Sequence, residues 1–150
     1  MIVMLISFVL DGVFSNILKA PFLPLFSIVS LVVMENYKKS EKNYLINCSI
    51  LGLLYDLVYT NTLFLNSLYF LLIGFIIMFC FHFLTHRLDI ELLGTTLSIL
   101  LFRTFSFITY KMFYNIPSHL LLPSIYNSII VNLIYCILIY LLVKKIKLHK

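Results

Sequence analysis

Charge is what this sequence has least of. Only 11% of its 150 residues are charged, against about 25% in an ordinary soluble domain. Hydrophobic residues make up 62% of the chain, and its mean hydropathy is +1.06. No water-soluble fold hides so much apolar surface in so short a chain, so lipid must be the solvent for most of these side chains. Crossing the hydrocarbon core takes about 20 residues, so six crossings use roughly 120 and leave no room for a separate soluble domain. The expected fold class is all-α: a polytopic bundle of about six transmembrane helices, a single transmembrane domain over residues 1–150.

Reactive groups are scarce as well. The three cysteines, Cys48, Cys80 and Cys136, fall in three different apolar segments with no CxxC pair, which excludes a zinc or redox motif. They read as small membrane-buried residues. His82 and His86 are four apart, but only Asp89 and Glu91 lie near enough to add ligands, so no metal site is expected. There is no HExxH, GxSxG or phosphate-binding loop. The Asp11-Gly12 pair matches the start of a membrane phosphatidyltransferase signature, but the Ala-Arg pair and further aspartates that complete it do not follow. The expectation is a protein without enzymatic activity and without a cofactor.

The net charge of +5 does not point to nucleic acid, because the basic residues sit in short loops and the tail rather than on a face interleaved with aromatics. Apolar segments cover residues 1–18, 21–34, 44–62, 67–84, 92–113 and 125–143. Between them lie a proline turn at residues 19–24, the polar loop ENYKKSEKN (35–43), the turns NTLFLN (61–66) and THRLDIE (85–91), and the loop YNIPSHLLLPS (114–124). The tail is KKIKLHK (144–150). No Lys or Arg precedes Lys19, and Asp11 interrupts the first apolar run, so that run reads as a retained helix and not as a signal peptide. With the N-terminus cytoplasmic, Lys38, Lys39, Lys42, Arg87, Lys144, Lys145, Lys147 and Lys150 all fall inside, and only Lys19 and Lys111 fall outside. The positive-inside rule therefore gives an N-in, C-in topology.

Three ionisable residues interrupt the apolar segments: Asp11, Asp56 and Arg103. Each costs about 2.5–3.5 kcal/mol at a helix centre on insertion scales, so each needs a partner or a wet cavity. They lie ten to twelve residues past the cytoplasmic starts of helices one, three and five, a common depth of about 15–18 Å. An ion pair of Arg103 with Asp56, Asp11 or both follows from that match. Polar and small residues flank them at helical spacing: Ser7, Asp11 and Ser15 on helix one, and Cys48, Gly52, Tyr55, Asp56 and Tyr59 on helix three. Thr96, Arg103, Ser106 and Tyr110 follow on helix five, and Ser128, Asn132 and Tyr135 on helix six. Such stripes let helices approach closely and hydrogen-bond to one another, so they mark the bundle interior, as packing groups, as the wall of a polar cavity for a ligand, or as a site for a partner's helix.

Two stretches resemble a known family. One is Pro21 through Met34 (PFLPLFSIVSLVVM), leading through a basic loop into Gly52-Leu53-Leu54-Tyr55-Asp56-Leu57. The other is Leu68-Tyr69-Phe70-Leu71-Leu72-Ile73-Gly74-Phe75, with Pro123-Ser124-Ile125-Tyr126-Asn127 later in the chain. Together they resemble the MreD family of bacterial rod shape-determining proteins, with its proline-led second helix, Gly-x-x-x-Asp third helix and mid-helix glycine in the fourth. The family often has a Leu-Gly pair in the turn after the Asp helix. This chain has Thr62-Leu63-Phe64-Leu65 there, which leaves the turn's conformation open.

The resemblance implies a multi-pass component of the bacterial cell membrane in the cell-wall elongation machinery. Its partners would be an MreC-type bitopic protein and, through the complex, MreB filaments and wall synthases. It further implies a fold related to the vitamin-binding S subunits of energy-coupling-factor transporters, the alternative function for this bundle. Gly52, Asp56 and Gly74 carry over from the family's motifs. With Asp11, Arg103 and Asn132 they make up the candidate interior or partner-facing set. Replacing Arg103 with Ala should lower thermal stability in detergent far more than replacing Lys111 with Ala. Equal, small effects would reject the buried ion pair.

Overall fold

An apolar helix shorter than the bilayer has to be held by protein at both ends, and the second helix of this chain is one. The structure, a computed structural model, describes residues 1–17, 24–60, 64–84, 87–114 and 121–148. The expected turn at Lys19 and Pro21, residues 61–63, Thr85 and His86, the segment with Pro117 and His119, and the terminal His149 and Lys150 lie outside the described residues. Six helices run in order: α1 (Ile2–Ile17), α2 (Phe26–Glu35), α3 (Glu41–Tyr59), α4 (Leu65–Phe83), α5 (Leu88–Tyr114) and α6 (Leu121–Leu148). Among the described residues three stretches are long and apolar enough to cross a membrane: Leu65–Phe83, Leu88–Phe113 and Ser128–Lys145.

The helix ends differ from the sequence-based boundaries for local reasons. α3 starts at Glu41, because Ser40 caps it by accepting the Asn43 N–H at 3.2 Å and Glu41 suits the positive end of the helix dipole. The loop 35–43 shrinks accordingly, and Glu35 is the last, buried residue of α2. α5 begins at Leu88, with Asp89 and Glu91 in its first turn. α6 takes in Pro123, whose missing N–H costs nothing in a first turn. It also runs through Lys144, Lys145 and Lys147 of the expected tail, and cations favour a helix C-terminus. In the turn before α4, Phe64 adopts a left-handed conformation, φ 65°. This is backbone that glycine adopts far more readily, and it falls in the segment where the resembling family often carries Leu-Gly.

α2 is the hub. It has 10 residues, a length of about 15 Å against a hydrocarbon core of about 30 Å. Every residue from Phe26 to Val33 is buried, as befits a helix that is apolar all round, and α2 touches each of the other five helices. Ile28, Leu31 and Val32 pack into a core with Phe70, Ile73 and Ile77 of α4 and Ile99 and Phe102 of α5. Val29 and Val33 meet Cys136 and Ile139 of α6.

α3 and α4 form the closest pair, and glycine is the reason. A Cβ on Gly52 would lie 2.5 Å from the Asn66 carbonyl oxygen and 2.6 Å from the Ser67 Cα. Both are backbone atoms that cannot swing aside. Gly74 faces Cys48 across the same seam, with Sγ 2.7 Å from where its Cβ would be. Ser67 Oγ donates to the Ser49 carbonyl at 2.9 Å, a small-residue hydrogen bond of the kind that joins helices in lipid. Gly52→Ala should therefore destabilise the bundle by about 1–3 kcal/mol, the usual cost of overpacking. Thermal unfolding in detergent reads this, with Gly74→Ala the milder change because only a side chain must yield.

Candidate functional site

Two helix starts inside the bundle lack caps of their own. Leu25 and Phe64, at the N-cap positions of α2 and α4, make no side-chain capping bond. The first amides of a helix have no intrahelical acceptor, and in an apolar interior leaving such a donor unpaired costs about 1–3 kcal/mol.

Asp11, buried at 3% exposure on α1, answers this for α2. Its Oδ1 accepts the Phe26 N–H at 2.7 Å and its Oδ2 the Ser27 N–H at 2.9 Å. The Leu25 N–H goes to Asn132 Oδ1 of α6 at 2.8 Å, and the Asn132 amide is fixed by donating to the Ser128 carbonyl at 2.8 Å.

Asp56 does the same for α4. From α3 it accepts the Asn66 N–H at 3.2 Å and the Ser67 N–H at 3.1 Å, one on each oxygen. Asn66 Nδ2 and Thr60 Oγ1 also donate to Oδ1, at 2.9 and 3.1 Å. Gly52, one turn before Asp56, lets α4 come close enough for these bonds. In both helix pairs, then, an aspartate on the first helix caps the start of the second.

Between the two capped starts lies a cavity of about 320 Å³. Asp11, Tyr55, Tyr59, Asn66, Arg103 and Tyr110 line it, with Pro24 and Leu25 forming the edge that leads into α2. Arg103 lines the same cavity as Asp11 and Tyr55. Tyr59 is pinned by donating to the Phe8 carbonyl at 2.7 Å, and Tyr69 by its hydroxyl contact with Thr109. Each helix start contributes roughly half a positive charge, so two helix starts and one guanidinium roughly balance two carboxylates. Such a balanced set suits holding helices and a polar guest.

Of the six candidate residues, Asp11 and Arg103 line this cavity, and Asp56 binds Thr60 and Asn66 of its wall. Asn132 stands beside it, holding Leu25. Gly52 and Gly74 lie on the α3–α4 seam instead. Of the expected stripe on α5, Arg103, Ser106 and Tyr110 line the cavity, but Thr96 is half-buried and bonds its own helix at Leu92, and the fully buried polar residues of that helix's first half are Glu91, Thr95 and Ser98. Sequence reasoning also missed Asn66. Its signal was an Asn-Ser pair opening an apolar run, a helix-start signature. Among the described residues no three His, Cys, Asp or Glu side chains come together as metal ligands.

Long apolar helices around a polar, internally capped interior define a helical membrane protein. The chain belongs to the MreD family: the model described as rod shape-determining protein MreD matches residues 1–147. It is thus a rod shape-determining membrane protein. No curated protein and no solved structure gives a significant match to the chain.

Asp11→Ala and Asp56→Ala each orphan two buried amides, so each should cost about 2–6 kcal/mol at about 1–3 kcal/mol per donor. Asp→Asn keeps one acceptor oxygen and should lose about half as much. Denaturation in mixed micelles measures both. A loss no greater than that of a lipid-facing Leu68→Ala control would refute the capping role.

Proposed function

We propose that this chain is a non-enzymatic assembly component of the cell-wall elongation complex. It lies in the bacterial cell membrane as a single multi-pass domain spanning residues 1–150, with both ends cytoplasmic. It binds an MreC-type bitopic protein within the bilayer and through it meets MreB filaments and wall synthases. Membership of the family over residues 1–147 carries this reading. The chemistry of the interior supports it, because Asp11, Asp56 and Asn132 are engaged in holding helix starts.

Orientation follows from the charges. Lys38, Lys39, Lys42, Arg87, Lys144 and Lys145 gather at the end where α2 stops and α3 begins, whereas Lys111 lies toward the opposite end. A basic cytoplasmic end would also be drawn to anionic lipid, by about 1 kcal/mol per lysine near the surface. Arg103 pairs with the buried aspartates in this reading, which its place beside Asp11 in the cavity lining supports.

The 320 Å³ cavity favours one second reading, a small-ligand site like that of a vitamin-binding S subunit of an energy-coupling-factor transporter. Its volume falls at the small end of ligand pockets, about 300–1,000 Å³.

Affinity purification of the tagged chain from its native membrane separates the two. The first reading expects an MreC-type protein to copurify, and expects loss of rod shape when the gene is silenced. A copurifying small molecule together with a transporter ATPase module, and normal rods after silencing, would replace it with the second.

A further inference from the structure

α2 meets a second cavity at its other end. This one holds about 310 Å³ and is lined by Glu35, Asn36, Lys38, Glu41, Phe81 and His82, at the end of the bundle that bears the lysines. Glu35 is 2% exposed. Lys38 Nζ binds its Oε1, but its Oε2 is buried without a hydrogen-bond partner, as are both polar atoms of the Asn36 side chain. Behind them Glu91, in the first turn of α5, is 0% exposed, and neither of its carboxyl oxygens has a partner.

This differs in kind from the outer cavity, where each carboxylate is met by backbone amides. Here the one lysine meets a single oxygen of Glu35, and the other Glu35 oxygen and both Glu91 oxygens are left without a partner. The C-terminal end of α2 adds roughly half a negative charge. The nearby Lys39 and Lys42 are exposed, where water and salt screen them. Removing hydrogen-bonding and charged groups from water without partners is costly, so the arrangement is complete only when a cation with hydrogen-bond donors enters. A divalent metal fits poorly, because no three carboxylate, His or Cys groups converge among the described residues. A guanidinium fits well. It presents five donors in a plane, enough for Glu35 Oε2 and the Asn36 amide oxygen together.

We propose that this pocket is a recognition site for the guanidinium of an arginine side chain, presented by a partner segment at the lysine-bearing face. Glu35 and Asn36 are the direct acceptors. The site stands on its own geometry, and the assembly reading above enters only in assigning the arginine to a partner protein.

The test uses the purified full chain in detergent, with N-acetyl-arginine amide as probe. N-acetyl-citrulline amide serves as its neutral isostere, and KCl at matched ionic strength as the inorganic cation. The arginine probe should raise the melting temperature saturably, as a ligand selective for the native state does, while citrulline and KCl should not. Glu35→Gln and Asn36→Leu should each weaken the apparent affinity at least tenfold. The double variant Glu35→Gln/Asn36→Leu should abolish the shift. An equal response to KCl would assign the pocket to an inorganic ion and overturn the proposal. So would the absence of any shift, or a shift that the three variants leave intact. Because no partner protein is present, such a failure leaves the copurification result standing.

Discussion

A helix that starts inside an apolar bundle has amides with nowhere to go. Water would take them at a protein surface, and a serine or asparagine at the N-cap would take them in most soluble helices. Neither is available to α2 or α4, whose N-cap positions are leucine and phenylalanine. The bundle solves the problem from outside each helix, with a carboxylate reaching across from the helix before. Charge and hydrogen bonding are satisfied together: a buried aspartate, costly by itself, and a set of orphan amides, also costly, cancel each other when they meet.

Much of the remaining architecture follows from placing those two carboxylates. Gly52 has no side chain, because Asp56 reaches the α4 amides only if the α4 backbone lies where a Cβ would be. Asn132 is held by Ser128 so that it can take the Leu25 amide left over after Asp11 has taken the next two. Arg103 reaches the same region from α5. The result is a half-length central helix gripped at its start by α1 and α6. Its first residues border one cavity, and its last residues border the other. In lipid there is little hydrophobic gain from bringing helices together, so close packing and interhelical hydrogen bonds carry that task. This explains why so much of the specificity rests on a few small and polar side chains.

The two ends of α2 also show how differently polar groups are treated within one interior. At the start, every named carboxylate oxygen has an amide. At the end, Glu91 and one oxygen of Glu35 have none. A soluble protein of this size would tolerate few such groups. That contrast, more than the presence of acidic residues as such, separates a structural carboxylate from one that awaits an occupant.

What the residues determined by themselves was local. Low charge and long apolar runs set lipid as the solvent. Helical periodicity placed Ser7 and Asp11, Gly52 and Asp56, and Ser128 and Asn132 on shared faces, because each pair is four residues apart on one helix. Helix-start chemistry was only partly legible: Ser40 and Glu41 were read as loop, although they carry the signals that begin α3. Tertiary structure decided everything that depends on residues far apart in sequence. Nothing in the spacing of Asp11 and Phe26, or of Leu25 and Asn132, announces that they meet, because their meeting depends on how α1, α2 and α6 pack. The burial of Glu35 and Glu91 was equally invisible. A glutamate in a polar stretch reads as solvated until the neighbouring helices are in place, and only then is it seen that α4 and α5 have closed over it.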